Sequence, residues 1–258
     1  MGKQVERFVD IVRRLRAPDG CPWDREQTHA SILSCLLDET YEFFEAVDED
    51  DSDKMREELG DLLLQVVLQA QMADEAGRFD IEDVARGISE KIIRRHPHVF
   101  GDTEARSSKE VLANWELIKK QEKGDTRKYL VDGIPVNLPA LFRAEKMQRR
   151  VARVGFDWKD ITPVLDKVEE EFGEFRAALA HNNQAHAEEE LGDILFALVN
   201  VARHKGICAE EALRHTVNKF ARRFRYIEEQ YQRSGKKLED ASLEDMDALW
   251  EESKGSVG

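Results

Sequence analysis

Leu36-Leu37-Asp38-Glu39-Thr40-Tyr41-Glu42-Phe43, followed by Glu57-Glu58-Leu59-Gly60-Asp61, is the stretch on which the fold turns. It occurs twice. One shift of register, without a gap, lays it on Val168-Glu169-Glu170-Glu171-Phe172-Gly173-Glu174-Phe175 and Glu189-Glu190-Leu191-Gly192-Asp193. Ala46 and Leu63 then fall on Ala178 and Leu195. With small changes of register, Lys91, Arg94 and Arg95 match Lys219, Arg222 and Arg223. Trp23 matches Trp158, and Trp115-Glu116 matches Trp250-Glu251. Two copies of one unit fit better than a solenoid, which needs three or more short repeats. Gly124, Gly133 and Pro135 interrupt the pattern between the copies. The expected organisation is therefore a domain over 1–122, a linker over 123–136 and a second domain over 137–258.

Working outward, apolar residues recur at helical spacing and no period-two strand signal is seen. The spacing predicts helices over Val5–Arg16, Ala30–Val47, Lys54–Ala76, Ile81–Arg95 and Ser108–Lys120 in the first copy. In the second it predicts helices from Pro163 to Ala180, then Ala187–Lys205, Ala209–Gln232 and Leu243–Glu252. The fold class is all-α, two tandem repeats of a helical-hairpin bundle.

Glu39 and Glu42 share one helix face, as do Glu58 and Asp61 on the next helix. The segment Asp48–Ser52 reads as a short acidic turn with Ser52 as N-cap, so the helices form an antiparallel hairpin. Glu39 then lies level with Asp61, and Glu42 with Glu58, about 9 Å from the turn at about 1.5 Å per residue. Glu171, Glu174, Glu190 and Asp193 repeat this around a turn near Asn182. Four facing carboxylates beside apolar neighbours repel unless some protonate or a cation sits among them. Oxygen donors without His or Cys suit Mg²⁺, with Mn²⁺ as substitute, better than zinc. Gly60 and Gly192 in mid-helix suggest that a neighbouring helix or ligand comes close. A solvated acidic helix face is the plain alternative, and gap-free recurrence of all four acids argues against it. A di-iron bundle would need two Glu-x-x-His pairs in the core; the only such pair, Glu26 and His29, lies outside the hairpin.

Lys91, Arg94 and Arg95, and Lys219, Arg222 and Arg223, are cations suited to a polyphosphate. Helix-end cations are the bland alternative. Trp115 and Trp250 could each stack on a base or equally be core tryptophans, core packing being favoured for Trp115. His96-Pro97-His98 reads as a helix end rather than a metal site.

The net charge of −14 argues against binding a nucleic-acid polymer. Met1–Val9 is too polar for a signal peptide, and no apolar run of about 18 residues occurs. No membrane association is expected, and the expected location is the cytoplasm. Cys21, Cys35 and Cys208 lack paired spacing, which suits reduced thiols.

Together with Gly20-Cys21-Pro22-Trp23-Asp24, Arg94-Arg95-His96-Pro97-His98-Val99-Phe100 and Val154-Gly155-Phe156-Asp157-Trp158, these acids make the chain resemble the two-domain MazG-type nucleoside triphosphate pyrophosphohydrolases. The similarity runs nearly the whole length. The acid motif alone is shared by wider all-α triphosphate pyrophosphatases. The resemblance implies Mg²⁺-dependent cleavage between the α and β phosphates, tolerance of many bases, a homodimer of interlocked helices and a role in cleaning nucleotide pools. It also implies that the second copy is the active one. Glu171, Glu174, Glu190 and Asp193 would then hold metal (Glu39, Glu42, Glu58 and Asp61 forming a second candidate site). Lys167, Glu188, Glu189, Lys219, Arg222, Arg223 and Trp250 would contact the nucleotide, with Lys119 reaching across from the first copy.

Two replacements also favour the second copy: Cys35 stands where it has Lys167, and Arg56 where it has Glu188. In the expected mechanism water attacks, Glu189 is a candidate base, and pyrophosphate leaves against Lys219 and Arg222 or Arg223. Two rivals are a regulatory bundle that binds metal and nucleotide without turnover, and a helical interaction scaffold.

Overall fold

The computed structural model describes residues 2–123 and 128–256. Among these there are twelve α-helices, a short 3-10 turn at Leu238–Asp240 and no strand. The chain divides into two compact units, Met1–Lys123 and Gly124–Gly258. Of the expected linker, residues 124–127 lie outside the described residues, and Ile134 is already buried in the second unit.

The first unit holds α1 (Gly2–Arg16), α2 (Pro22–Glu26), α3 (Leu33–Asp48), α4 (Ser52–Glu75), α5 (Ile81–Arg95), α6 (Pro97–Phe100) and α7 (Ser108–Lys123). Helices α3 and α4 form the expected antiparallel hairpin, and α1 lies against α4. Val12 from α1, Ile32 and the α4 residues Val67, Leu68 and Met72 form its buried core, with Phe8, Leu64 and Ile81 packed on it. A Cβ at Gly20 would come within 2.2 Å of the Leu15 carbonyl oxygen, so only glycine lets the chain turn there out of α1.

The second unit holds α8 (Ala140–Ala152), α9 (Thr162–Ala180), α10 (Gln184–His204), α11 (Ala209–Arg233) and α12 (Leu243–Ser256). Helices α9 and α10 form the second hairpin, α8 packs on α10 and α11, and α12 lies against α11. Helix α8 lies outside the spans expected from the sequence. Its signal is the match of Val12-Arg13-Arg14 in α1 with Gln148-Arg149-Arg150, which makes α8 the counterpart of α1.

The two hairpin turns are built alike. Asp50 and Asn182 have φ of 53° and 50°, left-handed values that Asp and Asn tolerate better than most residues. Each closes a Schellman motif. Asp51 N–H donates to Ala46 O at 3.1 Å and Asp50 N–H to Val47 O at 3.2 Å. Asn183 N–H donates to Ala178 O at 3.1 Å and Asn182 N–H to Leu179 O at 3.0 Å. The cap of α4 is Asp51, not Ser52: its carboxylate accepts from the backbone N–H of Asp53 and Lys54. A carboxylate is the better acceptor at the positive end of a helix, which displaces Ser52 into the first turn. Asn183 caps α10 in the same way, through His186 N–H.

Candidate metal and nucleotide site

Because both turns reverse the chain at the same register, each hairpin brings acids from two helices together. In the second unit, one carboxylate oxygen from each of Glu171, Glu174 and Glu190 lies within 4.8 Å of the other two. In the first, Glu39, Glu58 and Asp61 do the same. Three of the four expected acids thus converge in each copy, and the fourth differs. Asp193 stands outside its trio, on the wall of an adjoining cavity, and Glu42 is exposed outside the other trio.

Glu171 and Glu190 are buried, at 6% and 5% exposure, while Glu174, Glu188 and Glu189 are exposed. Burial, then the charge of Glu174, pushes the Glu190 carboxyl above its ordinary range, and His186 partly opposes this. Burial, then Asp61 and Glu42, raises Glu39; burial, then Glu42 and Asp61, raises Glu58. Glu190 Oε2 is buried and has no hydrogen-bond partner. An unpaired acceptor among like charges costs free energy that a cation would recover, so this all-oxygen set fits a hard divalent ion.

Two basic groups touch this trio. Lys167 Nζ lies 2.7 Å from Glu170 and 2.7 Å from Glu171, and these carboxylates hold its pKa above the usual lysine value. His186 Nδ1 lies 3.2 Å from Glu190 and 3.7 Å from Glu189. His186 is not among the residues expected at the site; its i, i+4 relation to Glu190 is the sequence signal for it. Its counterpart in the first unit is Lys54, which pairs with Glu49 at 3.0 Å.

Among the described residues, no close neighbour of Gly60 or Gly192 is found. Apart from the adjoining residues and the helix's own backbone, nothing described lies within 4 Å of a Cβ built at either position, so these helix faces are open.

Lys219 and Arg222 are exposed on α11, and no ion pair joins them or Arg223 to a carboxylate among the described residues. Arg223 lies over the Trp250 ring at 5.7 Å, with Phe220 on the same indole at 5.1 Å. Arg223 Nε is buried without a partner. The first unit repeats the stack: Arg95 lies 5.4 Å and Lys119 Nζ 4.7 Å from the Trp115 ring. There, however, Glu122 fills the arginine fork. It accepts from Arg94 Nε at 2.5 Å and Arg95 Nε at 2.9 Å, and the two hold its pKa down to about 2.

Beside the second acidic trio is a cavity of about 430 Å³, within the roughly 300–1,000 Å³ range of small-ligand sites. Lys167, Glu171 and Asp193 contribute to its polar wall. Met147, Val151, Phe156, Trp158 and Phe196 make the apolar part. Asp157 ties the Phe156–Trp158 loop to α10, accepting from Arg203 at 2.9 Å and contacting His204 Nε2 at 3.0 Å. Arg203, then His204, lowers its pKa.

The MazG nucleotide pyrophosphohydrolase domain matches twice, over residues 27–100 and 161–227, each span covering one hairpin and the helix after it. The chain is 50% identical over 255 residues to the nucleoside triphosphate pyrophosphohydrolase of Escherichia coli (strain K12), covering 97% of each. It is 47% identical over 254 residues to the nucleoside triphosphate pyrophosphohydrolase/pyrophosphatase MazG of Thermotoga maritima, covering 98% of this chain and 97% of that one. It is 53% identical over 252 residues to the uncharacterized protein YabN of Bacillus subtilis, covering 97% of this chain and 52% of the longer relative. The chain therefore belongs to the MazG nucleotide pyrophosphohydrolase family, and it is a hydrolase.

Proposed function

We propose that this protein hydrolyses nucleoside triphosphates, ribo and deoxy, to a nucleoside monophosphate and pyrophosphate, with Mg²⁺ as cofactor and the second unit as the active one. The observation that carries the reading is the trio Glu171, Glu174 and Glu190, gathered beside a cavity and containing a buried, unpartnered carboxylate oxygen. Glu171, Glu174, Glu190 and Asp193 would hold the ion, Asp193 after a change of rotamer that brings it from the cavity wall. Bound there, Mg²⁺ would neutralise charge on phosphate oxygens and so make the α phosphorus more open to attack.

The chain's own groups do the rest. Glu189, exposed one residue before Glu190, accepts the proton of the attacking water. The water oxygen bonds to the α phosphorus, the bond from that phosphorus to the α–β bridging oxygen breaks, and pyrophosphate leaves. Lys219, Arg222 and Arg223 stabilise its charge, a role supported by the absence of carboxylate partners for them among the described residues. Lys167 moves from Glu171 to a phosphate oxygen as the trio's charge is neutralised. Glu188 and Trp250 border the nucleotide. The apolar part of the cavity wall favours tolerance of several bases, since every base has a face to stack.

A homodimer is supported by apolar side chains left open on both hairpins. Leu37, Leu59, Leu63 and Val66 in the first, and Leu179, Leu191 and Leu195 in the second, are 41–55% exposed. Contiguous apolar surface of this kind marks association sites. No helix among the described residues is long and apolar enough to cross a membrane. The reading places the enzyme in the cytoplasm, acting on free nucleotides rather than nucleic-acid polymers.

The test is a panel of NTPs and dNTPs with Mg²⁺, followed by product identification. Monophosphate and pyrophosphate are expected, with release abolished by EDTA and restored by Mg²⁺ (or Mn²⁺). Diphosphate with orthophosphate, or turnover indifferent to EDTA, would overturn the proposal.

A further inference from the structure

The cavity beside the second acidic trio is not purely apolar, and its polar groups have fixed orientations. Gln148 on α8 is buried to 4% exposure and Asn200 on α10 to 8%, and both line the cavity. Gln148 Nε2 donates to the Phe196 carbonyl oxygen at 2.8 Å. A carbonyl only accepts, so Gln148 Oε1 is the remaining atom, and it is buried with no partner. Asn200 Oδ1 accepts from Arg203 Nε at 3.0 Å. A guanidinium only donates, so Asn200 Nδ2 is left as the donor of that amide, with no acceptor for it among the described residues. Phe196 and Asn200 are one helical turn apart, so the two amides share one stretch of wall. It offers one acceptor and one donor, both unused.

The first unit carries apolar residues at both positions. Val12 matches Gln148 and Leu68 matches Asn200; Val12 and Leu68 are 0% and 5% exposed, inside the hydrophobic core. The scaffold packs well with apolar residues there. Burying the Gln148 amide with its acceptor unpaired costs free energy, which is explained if a ligand completes it.

We propose that Gln148 and Asn200 read the ring edge of the nucleobase and favour bases that set an amino group beside an unprotonated ring nitrogen. This rests on the triphosphate reading above. Adenine and cytosine present that edge: their amino N–H meets Gln148 Oε1, and the ring nitrogen accepts from Asn200 Nδ2. Hypoxanthine and uracil present the reverse, a carbonyl oxygen and a ring N–H, which places acceptor against acceptor and donor against donor. Broad tolerance and this preference coexist, because stacking is indifferent to the edge and the amide pair is not.

The experiment compares kcat/KM for ATP against ITP and for CTP against UTP, pairs that differ only in this edge. The wild-type enzyme is expected to favour ATP and CTP by about 10-fold or more, since one hydrogen-bond mismatch in a buried site is worth at least 1.4 kcal/mol. Gln148→Val and Asn200→Leu, which restore the first unit's residues, should each bring the ratios towards unity. Asn200→Asp keeps the acceptor for Arg203 and replaces the donor with a second acceptor, so it should shift preference towards ITP and UTP. Wild-type ratios near unity, or ratios unmoved by Asn200→Asp in folded protein, would overturn the assignment while leaving the hydrolase reading intact. Failure to release pyrophosphate from any of the four would sink both.

Discussion

The two units share a scaffold and differ in what fills it. Around α1 and α4 in the first, Val12 and Leu68 close the core, and Glu122 occupies the fork of Arg94 and Arg95. Around α8 and α10 in the second, Gln148 and Asn200 line a cavity, and Arg222 and Arg223 have no carboxylate partner among the described residues. The hairpin turns, caps and acidic trios are common to both. In the first unit the arginine fork is filled and the matching space is packed. In the second, positive charge and hydrogen-bonding capacity are left over, which favours stability in one copy and ligand binding in the other.

The hardest way to break this comparison is to remove acids from each trio in turn. Glu171→Gln with Glu174→Gln should lower kcat/KM for pyrophosphate release by about 1,000-fold or more, because charge neutralisation at the phosphates is worth several kcal/mol. Glu39→Gln with Glu42→Gln should cost far less. If the order reverses, the active centre moves to the first unit.

Next come the arginines that lie over tryptophan. Arg223→Ala should reduce kcat/KM by about 100-fold, the scale of one preorganised donor to a developing anion. Arg95→Ala should instead lower the melting temperature, because it leaves the inward-facing Glu122 with one partner fewer. Equal kinetic losses from both would erase the distinction.

Glu122 sharpens the contrast through pH. Its folded pKa, about 2, lies below the ordinary 4.5, so its stabilisation is fully present above about pH 4.5 and is lost as pH falls towards 2. The melting temperature of wild type should exceed that of Glu122→Gln at neutral pH, and the gap should close over that acidic window. A gap that is constant with pH would show that the carboxylate charge is not what holds the fork.

The smallest effect concerns the open helix faces. Gly192→Ala should stabilise the folded chain by about 1 kcal/mol, the usual helix-interior difference, since its Cβ meets nothing. If chemical denaturation shows a loss instead, or if assembly or activity falls, the space is used by a second copy or by substrate.

Reading the chain residue by residue reached far into the fold and only part of the way into the site. The hairpins were legible because helical periodicity, turn residues and acid spacing are local properties, and duplication wrote each of them twice. Helix α8 was legible by the same rule, since Leu141, Ala144, Met147 and Val151 recur at helical spacing. Sequence alone determined that two acidic pairs per copy would come level, since 3.6 residues per turn and a reversing turn leave little choice. It could not determine which three oxygens would meet or that Asp193 would stand apart with the cavity, whereas Lys167 and His186 were within its reach as i, i+4 neighbours of Glu171 and Glu190. Oxygens that meet across two helices are another matter. Those follow from rotamers and from how helices distant in sequence pack. Nor could spacing distinguish the occupied arginine fork from the open one, because that depends on whether a carboxylate from another helix arrives within hydrogen-bonding distance. Such partners are chosen by tertiary packing, across separations that no periodicity encodes.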